Sequence, residues 1–209
     1  MRLRHDLLAA AARLAAGGRV GQPAPGAAGA AGGVGTTGLE PGLAGQHVCP
    51  GEKRGPATGP NPTDRGKPGT KRHLVTDARG TPLGVVLSGA NRHDSMMLGA
   101  ALDAIPDVRS GKPGRPRCRP KKLHADKAYD SRRCRRECRE RGITPRIARK
   151  GVDGSQRLGR HRWVVERTHA WMARLRRLAV RYEEREDIHL AFVTLGCALV
   201  CLNQIKRFC

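Results

Sequence analysis

The chain has 209 residues, with 40 Lys and Arg against 18 Asp and Glu, and a formal net charge of +22. That length suits one ordinary domain with a tail, and the charge implies a polyanionic partner, with nucleic acid the default. Aromatic residues make up 3% and none precedes Tyr129, which argues against a base-stacking single-strand binder and for a protein that grips backbone phosphates.

A solvated surface selected for solubility would not need so many arginines. The seven cysteines contain no CxxC pair, so a zinc ribbon is not expected. Cys134/Cys138 and Cys197/Cys201 are i, i+4 pairs on expected helices and read as small apolar packing residues in a reducing, intracellular protein. No convincing signal peptide opens the chain. Residues 188–205 approach membrane-span length, but His189, Thr194, Asn203 and Gln204 interrupt them. They read as a buried C-terminal helix rather than a span.

In chain order, residues 1–56 are dominated by Ala, Gly, Leu and Pro without sustained periodicity. They read as a flexible, disordered segment that cannot bury enough side-chain area to offset chain entropy. Residues 57–209 read as the folded part. "GPNPTDRGKPG" is a turn-rich basic loop. "HLVTD" and "LGVVLSG" are strands joined by the turn "DARGTP". "NRHDSMMLGAALDAI" starts a helix with Asp94 or Ser95 as its N-cap. A basic Pro/Gly-rich loop leads to the short strand in "KLHADKAYD". "SRRCRRECRERG" is an arginine-rich helix stopped at Gly142. "ITPRIAR" is a strand, "KGVDGSQRLGR" a glycine-rich loop, "HRWVVERTHAWMARLRRLAVRY" a long helix, and "DIHLAFVTLGCALVCLNQI" an apolar one. This order indicates a mixed α/β domain that lacks a strand in front of "KRHLVTD".

Two carboxylates stand out in a chain poor in acids. Asp126 follows an apolar strand start, and functional groups collect at strand ends in open α/β sheets. Glu166 lies early in the long helix on one face with Arg162 and Ala170. Each alone has a structural reading: Asp126 could pair with Lys127 or a nearby arginine, and Glu166 with Arg162. Together, in a chain built to bind phosphates, they suit metal-assisted phosphoryl transfer, in which one metal activates the attacking oxygen and a second steadies the leaving one.

The motifs "TGPNPTDRGKPGTKRHLVTDARGTPL", "GANRHDS", "HADKAYDS", "RGITPRIAR" and "GRHRWVVERTHAWMARLRRL" recur in one order. On these, residues 57 to about 205 resemble the C-terminal part of a bacterial insertion-sequence DDE transposase of the insertion-sequence-five group. The resemblance implies a ribonuclease-H-like fold, with a mixed sheet and flanking helices, and a metal set of two aspartates and a glutamate binding Mg²⁺ or Mn²⁺. Asp126 matches the second aspartate, Glu166 the glutamate, and Arg162 the arginine four residues before it. Two positions depart from the pattern: Gly159 stands where a tyrosine is common, and Ala173, beside Arg174, where a lysine is common. The resemblance also implies double-stranded DNA at element ends and target as partner, a homodimer on paired ends, no membrane, and a cytoplasmic, nucleoid-associated protein. Lys67, Lys71, Arg72, Lys127, Arg132, Arg133 and Arg167 are the expected DNA contacts.

The first aspartate of such a set is absent. Asp64 sits in a loop, Asp77 at a hairpin turn and Asp94 at a helix start, so none replaces it. The strand that would carry it is missing from the reading. Residues 1–56 are read instead as a transposase segment in a shifted frame. Back-translated and started one base later, "GLAGQHVCPGEK" can give DWQDSTSARAK, with the aspartate straddling the codons of Gly45 and Gln46. "MRLRHDLLAAAARLA" can likewise give a helical, DNA-facing text. An adenine run near "GEKRG" would permit ribosomal slippage. Three functions therefore compete: a DNA transposase, incomplete as this literal chain; a non-catalytic DNA-binding remnant; and a basic RNA-associated protein.

Overall fold

The computed structural model describes residues 41–52, 55–108, 117–152 and 155–206, with only the backbone described over 155–162. Six strands form one sheet: β1 (Gly42–Pro50), β2 (Gly59–Pro60), β3 (Pro68–Thr76), β4 (Pro82–Gly89), β5 (Lys122–Ala125) and β6 (Thr144–Ile147). The helices are α1 (Leu98–Asp103), α2 (Arg132–Glu140), α3 (Ser155–Ala173), α4 (Arg176–Ala179) and α5 (Glu186–Lys206). β1 runs antiparallel to β3, and β3 antiparallel to both β4 and β2. On its other edge β1 runs parallel to β5, and β5 parallel to β6.

The mixed α/β architecture expected from the element order is present, but the strand thought missing is there. It lies at the centre of the sheet, inside the segment set aside as linker. Its sequence, Gly-Leu-Ala-Gly-Gln-His-Val-Cys-Pro, has little intrinsic strand preference, and tertiary context overrides that weak prior. Eight residue pairs from Leu43↔Thr76 to Pro50↔Gly69 join it to β3, and backbone pairing of this kind is independent of side-chain type.

Strand alternation divides the interior between the two faces. On one face Ala44, Val75, Leu123, Tyr129, Cys134, Cys138 and Ile143 pack with Leu98 and Leu102 of α1. On the other, Leu74 and Leu87 meet Met172, Leu178, Val193 and Val200, and Leu43 meets Val164 and Val165. Helices thus cover both faces of the sheet.

Local signals explain most boundaries. Asp77 Oδ1 accepts from the backbone N–H groups of Arg79 and Thr81, both at 2.8 Å, closing the β3–β4 turn. Ser131 caps α2 by accepting from Cys134 N at 3.1 Å. Gly142, with φ +69°, follows the helix end, where a residue with a Cβ would be strained. Cys134 and Cys138 are both fully buried, as their spacing predicts, and are free thiols. Two expectations need correcting. The cap before the 3₁₀ turn Asp94–Met96 is His93, whose Nδ1 accepts from Ser95 N at 3.3 Å, not Asp94 or Ser95. The long helix begins at Ser155, inside the expected glycine-rich loop, and breaks after Ala173 into the separate turn α4.

Candidate active site

β5 delivers Asp126. The strand ends at Ala125, and Asp126 turns out of it with φ −76° and ψ −178°. Its carboxylate accepts from Ala128 N at 2.9 Å, capping the 3₁₀ turn Lys127–Tyr129. This bond fixes one carboxylate oxygen at the carboxyl end of a parallel strand, where ligands of open α/β sheets bind.

α3 delivers Glu166, which is exposed. The helix is tied to the tip of the β3–β4 hairpin by the two residues that follow that position. Thr168 Oγ1 donates to Gly80 O at 2.8 Å, and Arg167 Nη2 donates to Arg79 O at 2.7 Å. Gly80 has φ +85°, and a Cβ there would stand 2.8 Å from Thr168 Oγ1. The hairpin therefore needs glycine for both its conformation and its close approach to α3.

Gly45 of β1 is in contact with α3 and is the neighbour of Asp126 in the parallel register. The parallel register runs Gly42↔Leu123, Leu43↔His124 and Ala44↔Ala125, so the next residues on the two strands are Gly45 and Asp126. Leu43 packs on α3 and Ala44 on the opposite face, so alternation turns position 45 towards α3. A Cβ on Gly45 would stand 2.6 Å from Val165 Cγ1, one residue before Glu166. Gln46 faces the other way, its Oε1 accepting from the Tyr129 hydroxyl at 3.4 Å. The fold thus sets Asp126 level with Gly45 across the β1–β5 pair and packs Val165, one residue before Glu166, against Gly45.

The other three acids weighed as stand-ins are engaged elsewhere. Asp64 pairs with Lys67 at 3.6 Å in an exposed loop and Asp77 closes its turn, whereas Asp94 pairs with Lys71 of β3 at 2.9 Å instead of capping a helix. Among the described residues no group of three His, Cys, Asp or Glu side chains is placed to hold a metal ion. The Arg162 side chain lies outside the described residues.

The expected phosphate contacts divide. Lys67, Arg132 and Arg133 are exposed and Lys127 is half-buried beside Asp126. Arg133 donates to Glu137 at 2.7 Å. The Arg167 guanidinium lies 4.3 Å from the ring centroid of Trp163 and 4.8 Å from that of Trp171. Lys71 is turned into its pair with Asp94 and also donates to Arg92 O at 2.8 Å. Arg72 is a correction: it is fully buried, and none of its three guanidinium nitrogens has a hydrogen-bond partner among the described residues. It faces α3 and α5 beside His47, its partner in the β1–β3 register, where no phosphate reaches it. Desolvation lowers its pKa from the usual arginine value.

Two features escaped the sequence reading. Arg181 is also fully buried, but fully used: it donates to Thr58 Oγ1, Thr70 Oγ1, Glu183 O and Glu184 O at 2.8–2.9 Å. The histidines of the interior form a second set. His47 and His169 stack at 5.5 Å, and burial pushes His169 down to about 3 and His73 to about 4. No sequence signal separates these from surface histidines.

Comparison with known proteins gives this geometry a family. A family model described as the transposase DDE domain matches residues 47–201, and the chain belongs to that family. A Burkholderia cepacia protein, assigned as the transposase of insertion sequence element IS402, is 48% identical over 208 residues, covering 99% of this chain and 98% of the relative. The aligned span includes residues 1–56. The family model, in contrast, begins at His47, two residues past Gly45.

Proposed function

We propose that this chain acts on double-stranded DNA at the ends of an insertion element, in the bacterial cytoplasm at the nucleoid, and that it binds those ends without cutting them. The observation that carries the reading is that Gly45 stands level with Asp126 in the β1–β5 register and against Val165, the residue before Glu166. The strand order, three antiparallel strands continuing through β1 into two parallel ones, supports a ribonuclease-H-like sheet. Membership of the family implies use of a divalent metal, Mg²⁺ or Mn²⁺, in phosphoryl transfer.

The donor set fits that metal only in part. Asp126 and Glu166 are hard oxygen donors of the right kind, but the strand position level with Asp126 offers no side chain, and Val165 fills the space a side chain would take. No chemical step is therefore assigned to this chain. What its own residues supply is an oriented carboxylate at Asp126 and a cationic surface. Lys67, Lys127, Arg132, Arg133 and Arg167 would bind phosphate oxygens as charge-assisted donors. The family assignment leaves a basic RNA-associated role without support.

The test uses element-end DNA with Mg²⁺ or Mn²⁺. The expected result is a salt-dependent mobility shift without strand cleavage. Cleavage by the unaltered chain that Asp126→Ala abolishes would overturn the incomplete-site reading. Equal affinity for element ends and unrelated DNA would overturn recognition of the ends.

A further inference from the structure

Helix α5 is divided lengthwise. His189, Val193, Gly196 and Val200 are buried against the domain, and a Cβ on Gly196 would stand 2.6 Å from Leu178 Cδ1. The other side carries Ile188, Leu195, Leu199 and Leu202, which are 43%, 52%, 40% and 37% exposed. These are four of the seven exposed large hydrophobic residues among the described ones. Their spacing of seven, four and three residues places them on one stripe. Isolated exposed apolar residues are ordinary, but a contiguous stripe marks an interaction surface.

We infer that this stripe is the contact between two copies of the chain, paired antiparallel about a two-fold axis at Leu195. Ile188 stands seven residues before Leu195 and Leu202 seven after it, so the stripe is complementary to itself when one helix is reversed. Charge selects that direction. Between Asp187 and Lys206 the sequence has no Asp, Glu, Lys or Arg, and His189 is buried. The first turn is acidic, with Glu186 and Asp187, and the last turn holds Lys206. Reversed pairing sets each acidic end against the partner's lysine, whereas parallel pairing sets like against like. A chain of net charge +22 also associates most readily through a surface free of basic groups.

Lipid is the competing occupant, because α5 is long and apolar enough to cross a bilayer, with a mean hydropathy of 1.8. A spanning role would strip Val193 and Val200 from their contacts with Leu74, Leu87, Met172 and Leu178, so self-pairing is the reading the packing favours. It stands independently of any nuclease or strand-transfer activity.

Sedimentation of the full chain at moderate salt tests it. The unaltered chain should be a dimer, and Leu195→Glu should weaken dimerisation at least about tenfold with an unchanged circular-dichroism melting curve, because Leu195 belongs to none of the interior clusters. Direction is read by cysteine cross-linking in a background with Cys118, Cys201 and Cys209 changed to serine. Leu195→Cys should form a disulfide-linked dimer. Ile188→Cys should not link to itself, since the two copies of that position would lie about 21 Å apart at 1.5 Å per residue, but it should link to Leu202→Cys. A monomeric unaltered chain, a dimer indifferent to Leu195→Glu, or self-linked Ile188→Cys would overturn the inference. Binding to phosphatidylcholine vesicles that Leu195→Glu abolishes would overturn it as well, by assigning the stripe to lipid.

Discussion

Val165 occupies the space into which a side chain at position 45 would extend, with 2.6 Å between its Cγ1 and a Cβ built on Gly45. Real Cβ contacts are not that short, so any larger residue at 45 must move α3 or displace Val165. The helix that carries Glu166 therefore sits as close to β1 as it does because β1 has no side chain there. Gly45→Asp alone should destabilise the protein by about 1–3 kcal/mol, through overpacking and a partly buried carboxylate. Gly45→Asp with Val165→Ala should recover part of that loss and add a third oxygen donor beside Asp126 and Glu166. Urea denaturation reads the first effect. Calorimetric titration with Mn²⁺ reads the second, with binding expected for the double variant and lost on further Asp126→Ala. A neutral single variant would show that Val165 does not close the position.

Arg72 offers a second test, because its burial is unpaid by any partner. A buried guanidinium with no hydrogen bond is destabilising, and an apolar residue of similar length removes the penalty. Arg72→Met should raise stability by about 1–4 kcal/mol, read as a higher urea midpoint. Its affinity for DNA should not change, since the side chain does not reach the surface. Loss of affinity with unchanged stability would restore Arg72 to the phosphate contacts.

Arg72 and β1 also show where the sequence could be read and where it could not. "HLVTD" and "LGVVLSG" announce strands because β-branched and apolar residues lie between turn signals. "GLAGQHVCP" does not, since a central strand needs only backbone pairing on both edges and small residues where helices approach. Asp126 and Glu166 are legible through their motifs, and each lies on the element expected to carry it, at the end of β5 and on α3. The face of Arg72 is not legible. β3 is covered on both sides, so "TKRHLVT" lacks the alternation that would have marked which basic residues point inward. The same blindness hides the outward stripe of α5, whose sequence is apolar on every side.

The buried histidines predict an acid limit. His169 and His73 are held near 3 and 4 by burial, with Arg72 adding to the effect on His169, and burial lowers His47 and His189 too. In the unfolded chain each binds a proton near pH 6.5, while in the folded chain it does not until far lower pH. The unfolded state therefore binds more protons, and stability falls as pH drops below about 6.5 and is full above it. At about pH 5, His169 and His73 should each cost about 2 kcal/mol, at 1.4 kcal/mol per pH unit. Urea midpoints between pH 8 and pH 5 check this. His169→Asn should flatten the slope by about one proton, and a slope unaffected by that change would remove His169 from the account.

Arg181 is buried as deeply as Arg72, and its replacement should have the opposite sign. It donates to two threonine hydroxyls and to the carbonyls of Glu183 and Glu184. Its backbone N–H also donates to Pro50 O at 2.8 Å and its carbonyl accepts from Glu52 N at 3.1 Å. The residue thus joins the end of β1 to the approach of α5. Arg181→Met keeps the backbone bonds and the apolar volume but leaves four acceptors, the buried Thr70 Oγ1 among them, without their charged donor. Hydrogen bonds to charged groups contribute about 1.5–3 kcal/mol each and are not additive, so a loss of about 3 kcal/mol or more is expected in urea denaturation. Amide exchange should rise first at the β1 end of the β1–β3 ladder, around Cys49, whose Sγ lies 3.4 Å from Thr70 O. Parallel stabilisation by Arg72→Met and Arg181→Met would contradict this, because it would mean that the partners of Arg181 contribute nothing beyond burial.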